Sequence, residues 1–239
     1  MSHPAIQFSK VSKKYSAADV LHEIDLEVES GSILGLTGLN GAGKTTLIKC
    51  LLDFCEVDSG SIQIHGINTG RPTSRTKLSY LPERFMAPYF LTGREFVRTM
   101  MGLSCRQYDE NATCAMFEAL DLDQIALDKP VRSYSKGMNQ KIGLAACFLS
   151  RRALYVLDEP MSGLDPRARA RLKEMLCKLK GEGCTIFLTS HSLSDIDEIC
   201  DKIAVLHKGA LVYSGDIEEF RSRYNEKTLE NAFLKCIED

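Results

Sequence analysis

The segment Gly38-Leu39-Asn40-Gly41-Ala42-Gly43-Lys44-Thr45-Thr46 sets three glycines ahead of a lysine and two hydroxyls. Glycines at these spacings let backbone N–H groups turn inward around a polyphosphate, and the lysine reaches its outer oxygens. The Thr45 hydroxyl can ligate Mg²⁺ at the start of the following helix, whose N-terminus favours an anion. Asn40, Gly41, Ala42, Gly43, Lys44, Thr45 and Thr46 are the candidate binding set for a nucleoside triphosphate. A second reactive group is the pair Asp158-Glu159, which closes the apolar run Leu154-Tyr155-Val156-Leu157. Asp158 is suited to hold Mg²⁺, directly or through water, and Glu159 to polarise an attacking water.

Both groups need strands to deliver them. Residues 32–37, 154–157 and 185–189 are short, nearly continuous apolar runs, each followed by polar or glycine residues and then by helical pattern, and read as buried parallel strands. Residues 5–8, 20–28 and 61–65 alternate polar and apolar side chains, the mark of an antiparallel layer with one solvated face. Helical period appears at 94–101, 106–120 and 135–149 with almost no strand-like segment from 83 to 150. A short helix at 193–199, a hairpin of 203–207 and 211–214 about a Lys208-Gly209 turn, and two helical pieces complete the pattern. The expectation is an α/β fold with a P-loop NTPase core. It has a mainly parallel sheet, an N-terminal antiparallel β layer and an inserted helical subdomain at about 84–150, with a helical extension at about 216–239, in one domain spanning 1–239.

Among 239 residues, 30 are basic and 32 acidic, for a formal net charge of -2, so no global field recruits nucleic acid or an anionic membrane surface. Arg167, Arg169, Arg171 and Lys173, interleaved with Leu172, Met175, Leu176 and Leu179 at helical spacing, read as a solvated helix face. Nine cysteines show no CxxC pair and no zinc-type spacing, and are expected to be small buried hydrophobes in a reducing compartment. No apolar run approaches the roughly 20 residues of a spanning helix, and residues 1–10 show no secretory signal. A cytoplasmic location follows as an expectation, with no direct membrane insertion and membrane contact only through a partner.

The motifs follow a fixed order: the phosphate loop, Tyr80-Leu81-Pro82-Glu83, Tyr134-Ser135-Lys136-Gly137-Met138-Asn139-Gln140, Leu157-Asp158-Glu159-Pro160, Ser162-Gly163-Leu164-Asp165 and Thr189-Ser190-His191. In this order the chain resembles the ATP-binding subunits of ABC transporters, from about residue 6 to about residue 215. The resemblance implies ATP hydrolysis with ATP and Mg²⁺ as cofactors. It gives Tyr15 the adenine-stacking position, Lys44 and the Gly41, Gly43, Thr45 and Thr46 amides the phosphates, and Thr45 and Asp158 the metal. Glu159 becomes the catalytic carboxylate, and His191 the contact to the γ-phosphate and the attacking water. Ser135 and Gly137 would meet the γ-phosphate bound on a second subunit, with Asp165 at the same seam. A dimer closing on ATP follows, with two intact motif sets favouring a homodimer. The partner implied is a separate integral membrane permease, which would hold the protein at the inner face of the cell membrane.

Two departures stand out. The common signature Leu-Ser-Gly-Gly-Gln is altered at Tyr134, Lys136 and Met138, and Lys136 adds a positive charge for anion binding across the interface. Glu83 stands where the family usually carries glutamine; its carboxylate can ligate Mg²⁺ but offers no amide donor. Tyr-Leu-Pro-Glu and Tyr-Ser-Lys-Gly-Met resemble the branch serving exporters whose membrane subunits are separate chains. Phe85, Met86, Tyr89, Phe90 and Phe96 lie where such subunits receive a coupling helix, and part of that set is expected to be exposed. One alternative is a soluble ABC-type ATPase that remodels ribosomes or DNA ends, against which stand the single cassette and the lack of a basic stripe. Another is a regulatory nucleotide switch, against which stand Glu159 and His191.

Overall fold

The computed structural model describes residues 4–15 and 18–238. Ile6–Tyr15 (β1) and Ala18–Val28 (β2) pair antiparallel, with Ile6 opposite Val28 and Phe8 opposite Leu26. All four are buried, and the polar residues between them face outward, as a period of two demands. Ile33–Thr37 (β3) is buried throughout and leads through the glycine loop into Lys44–Leu51 (α1). Ser59–Ile64 (β4) joins the free edge of β1, and Ile67–Asn68 (β5) joins β4. Leu78–Leu81 (β6) is a strand that the residue pattern did not announce. Only Leu81 among its residues is fully buried, so neither alternation nor an apolar run marks it.

Gly93–Leu103 (α2), Glu110–Ala119 (α3) and Lys136–Leu149 (α4) follow without an intervening strand. Side-chain caps fix where each begins. Thr92 and Glu95 form a reciprocal capping box, the Asp109 carboxylate accepts from the Ala112 amide at 3.1 Å, and the Ser135 hydroxyl accepts from the Met138 amide at 3.2 Å. The Asp109 cap starts α3 later than the apolar period suggests, and Arg106 instead donates to the Ser150 carbonyl at 2.6 Å. Leu154–Leu157 (β7), Pro166–Gly181 (α5), Thr185–Thr189 (β8), Leu193–Ile199 (α6), Lys202–His207 (β9), Ala210–Asp216 (β10), Ile217–Arg223 (α7) and Leu229–Glu238 (α8) complete the order.

The larger sheet runs β10-β9-β3-β8-β7-β6, parallel from β9 to β6, with β10 antiparallel at its edge. The smaller sheet runs β2-β1-β4-β5. Alternation within the apolar strands covers both faces of the larger sheet. Leu154, Val156 and Phe187 pack with β1, β2 and α1, while Tyr155, Leu157, Ile186 and Leu188 pack with α4 and α5. Because β8 joins β3 to β7, the phosphate loop and the Asp158-Glu159 pair emerge at the same carboxyl edge, where open parallel sheets hold ligands.

Two expectations are corrected here. The α5 cations do not form a free solvated face. Arg169 and Lys173 both grip the buried Asp195 carboxylate of α6, at 3.0 and 2.9 Å, and Lys173 also pairs with Glu198. Arg167 reaches Asp121 at 3.1 Å. Charge periodicity along one helix does not reveal an acidic partner on another. The cysteines are not uniformly buried either, since Cys105 and Cys177 are exposed. Cys177 falls on the outward side of α5 between the buried Leu176 and Leu179, and Cys105 lies in a left-handed turn (φ 56°) after α2.

Candidate active site

The phosphate loop is held by close backbone contacts. At Gly43, with φ 110°, a Cβ would lie 2.9 Å from both the Val20 carbonyl and the Leu21 side chain, so only glycine fits. Gly43 is also the N-cap of α1 and offers no side chain to its first amides, leaving them for an anion. Lys44 is buried, and its ammonium donates to the Gly38 and Leu39 carbonyls at 2.6 and 3.3 Å. Burial lowers its pKa, opposed by the nearby Glu159, Asp158 and Glu83 carboxylates. A buried cation resting on neutral carbonyls is poised for a stronger anionic partner.

Across the cleft, the Thr189 hydroxyl donates to the Asp158 carboxylate at 2.6 Å and accepts from the Glu159 amide at 2.9 Å. One hydroxyl on β8 thus orients both acids at the end of β7. Burial pushes the Asp158 pKa up, against the lowering effect of the Thr189 hydrogen bond. Glu159 occupies a left-handed turn (φ 50°), and burial pushes its pKa up to about 7, partly countered by the His191 amide and Lys44. The His191 amide donates to one Glu159 oxygen at 3.3 Å. The His191 Nε2 lies 3.2 Å from the other, but without hydrogen-bond alignment, so that oxygen is buried with no donor. Burial and then Lys44 lower the His191 pKa, favouring neutral imidazole.

These groups line one cleft of about 390 Å³: Asn40, Gly41, Ala42, Gly43, Lys44, Thr45, Thr46, Glu83, Asp158, Glu159 and His191. The carboxylates and the Thr45 hydroxyl are oxygen donors of the kind a hard divalent cation takes. Among the described residues, no three acidic, histidine or cysteine side chains make a cage for a metal by themselves.

Tyr15 is 44% exposed and does not line the cleft; its hydroxyl meets the Thr46 side chain of this set and lies 3.4 Å from the Cys55 sulfur. Ser135, Gly137 and Asp165 do not line the cleft. They belong to a second constellation. A Cβ on Gly137 would lie 2.9 Å from the Gly163 carbonyl, so the first turn of α4 and the loop 162–165 touch through their backbones. Lys136, read from sequence as a charge for anion binding, places its ammonium 3.4 Å from the Ser162 hydroxyl. Asp165 caps α5 by accepting from the Ala168 amide at 2.9 Å, and Lys141 of α4 stands 3.8 Å from its carboxylate. Sequence reading gave no role to Thr189 or to Gln140, whose amide donates to the Pro160 carbonyl at 3.1 Å. Both sat inside recognised motifs, and position in a motif was their only signal.

A strand, a glycine loop, a lysine-led helix and a second strand ending in two carboxylates define a phosphate-loop nucleotide-binding protein. The family model described as ABC transporter matches residues 21–162, and the chain belongs to that family. An uncharacterised ABC transporter ATP-binding protein of Synechocystis sp. is 39% identical over 202 residues, which are 83% of this chain and 57% of that protein. The bacitracin transport ATP-binding protein BcrA of Enterococcus faecalis is 35% identical over 231 residues, 93% of this chain and 73% of that protein. A solved structure of an ATP-binding subunit of an ABC transporter matches with a TM-score of 0.89 at 29% identity, over 97% of this chain and 99% of that one. This chain therefore spans less than two thirds of the Synechocystis relative.

Proposed function

We propose that this chain is the ATP-hydrolysing subunit of an ABC transporter, that two copies close on MgATP, and that the closure drives a separate integral membrane permease of the exporter kind. The observation that carries the reading is the gathering of Lys44, Asp158, Glu159 and His191 into one cleft while Ser135, Gly137 and Asp165 stand apart on two touching segments. One chain then presents half of each site, and the opposing copy supplies the other half.

In this reading Lys44 and the loop amides grip the phosphates, and Tyr15 stacks on the adenine. Thr45, Asp158 and Glu83 hold Mg²⁺, which supplies charge neutralisation on the phosphate oxygens. Glu159 accepts a proton from the attacking water, and its elevated pKa matches that task near neutral pH. His191, neutral and beside Glu159, orients the water and the γ-phosphate. Ser135 and Gly137 of the opposing copy complete the oxygen contacts, and Asp165 links the two sites. The helices α2 to α4, within about 84–150, act as a subdomain that carries Ser135 toward the opposing copy.

Met86, Tyr89 and Phe90 are exposed at 85%, 70% and 71%, whereas Phe85 packs on Phe96 at 5.7 Å and Phe96 is buried. The exposed three, one methionine and two aromatic rings, offer the permease an apolar landing surface. No described helix is long and apolar enough to cross a membrane; in this reading the permease holds the subunit at the inner face of the cell membrane. The reading is tested by Glu159→Gln. ATP binding persists and the dimer accumulates in light scattering, while steady-state hydrolysis falls by at least about a hundredfold. Brisk hydrolysis by this variant removes Glu159 from the chemistry.

A further inference from the structure

Next to the cleft, the sulfurs of Cys50 and Cys55 lie 3.5 Å apart as free thiols. Cys50 is buried in the last turn of α1, and Cys55 is half-buried in the turn that follows. The Tyr15 hydroxyl donates to the Cys55 sulfur at 3.4 Å. The turn is tied to the end of β1 a second time: Asp58 accepts from the Lys14 amide at 2.5 Å and from the Lys13 ammonium at 3.2 Å. The Lys13 ammonium in turn lies 5.4 Å above the Tyr15 ring. Movement of Cys55 is therefore movement of the surroundings of Tyr15.

We propose that Cys50 and Cys55 form a reversible disulfide site whose closure weakens nucleotide binding by displacing Tyr15, with low-molecular-weight disulfides such as oxidised glutathione as the oxidant class. The inference rests on the reading of Tyr15 as the adenine-stacking residue. Cys55, the more accessible thiol, loses its proton and attacks one sulfur of the small disulfide, releasing one small thiol and leaving a mixed disulfide. Cys50 then loses its proton and attacks the Cys55 sulfur, expelling the second small thiol. Two protein thiols are oxidised by two electrons in total, and one small disulfide is reduced to two thiols. Burial, then the contact with Cys55, pushes the Cys50 thiol up to about 12, which makes it the later of the two to react.

A disulfide requires the sulfurs at about 2.05 Å. Cys50 is anchored in a core helix, so the approach is made by the turn, and the Cys55 sulfur shifts relative to the Tyr15 hydroxyl. The hydrogen bond to Cys55 and burial hold the Tyr15 hydroxyl up at about 12, so it is a neutral donor that must find its acceptor again. Stacking geometry at the adenine changes with it.

The test is to oxidise the full chain with oxidised glutathione, block remaining thiols, and digest without reductant. Cleavage after Lys49 and Arg75, with Arg71 shielded by Pro72, yields one peptide holding both cysteines, which when closed is two hydrogens lighter than its unblocked dithiol form. The expected result is that light peptide, an apparent Kd for MgATP raised about five- to tenfold, and restoration by dithiothreitol. Cys55→Ser gives the same Kd under oxidising and reducing conditions. The proposal is overturned if Cys105 and Cys177 acquire glutathione while the light peptide stays absent. Tyr15→Ala in reduced protein reports on the stacking reading by itself. An unchanged Kd there removes Tyr15 from the site and the proposal with it. A weakened Kd in Tyr15→Ala beside an unchanged Kd in the closed disulfide form overturns the thiol switch alone.

Discussion

At the scale of single residues, Thr189 has the largest role that the sequence did not disclose. Its hydroxyl touches both acids across two strands, a relation that exists only once β7 and β8 are paired. Thr189→Val leaves the buried Asp158 carboxylate and the Glu159 amide without partners, which costs about 1.5–3 kcal/mol in denaturant unfolding. The same change loosens the acids and lowers kcat/KM for ATP hydrolysis roughly ten- to a hundredfold. Loss of stability with unaltered kinetics would leave Thr189 a structural residue only. Glu159 makes a pH prediction for the nucleotide-free protein. Its pKa in the fold is about 7 against an ordinary 4.5, so between those values the unfolded chain binds fewer protons than the native one. Stability therefore falls as pH rises through that window, by up to about 3 kcal/mol for the full gap. Glu159→Gln removes the charge, and its melting temperature should gain on that of the unaltered protein from pH 4.5 to pH 8. A constant difference would show that Glu159 is not held protonated by burial. The phosphate loop and the acid pair were legible because each is contiguous in sequence, whereas the Thr189 bridge is made by tertiary pairing.

At the scale of elements, what could be read depended on whether an element's surroundings repeat along the chain. Strands β3, β7 and β8 are buried on both faces and appear as apolar runs; the four residues of β6, mostly half-buried, do not. The α5 cations show the opposite failure, a regular charge pattern whose meaning lies on α6. Asp195 has a side chain only 6% exposed and holds both Arg169 and Lys173. Asp195→Ala leaves Arg169 without its acidic partner and Lys173 with Glu198 alone, and should lower stability by about 1.5–3 kcal/mol in urea titration. Replacing Arg171, whose only ion pair among the described residues is with the exposed Glu174 on the same helix, should cost less than about 0.5 kcal/mol. Equal effects at the two positions would mean that the α5–α6 clamp contributes nothing.

At the scale of the whole molecule, Ser135, Gly137 and Asp165 lie outside the cleft, and the proposed chemistry needs the two groups brought together between copies. Ser135→Glu, placed in the Glu159→Gln background, sets a carboxylate against the opposing γ-phosphate and should abolish the ATP-dependent dimer while single-chain ATP binding persists. A dimer undiminished by this change would place the contact elsewhere. The family resemblance implied such a partition. It did not disclose how the two segments support each other, with Gly137 against Gly163 and Lys136 beside Ser162, because those contacts join segments more than twenty residues apart.

The segment after β6 has one further consequence. Leu81, held by pairing to Leu157, is only two positions before Glu83 in the cleft, and Phe85 is pressed onto Gly143 of α4 two positions beyond. Met86, Tyr89 and Phe90 then emerge into open solvent. Under the proposed reading, a push on those exposed side chains has almost no slack to absorb it before it reaches the metal side of the nucleotide. It also bears on the very helix that presents Ser135. A single short lever would thus tell one pocket and one docking loop, at the same moment, whether the membrane side is engaged.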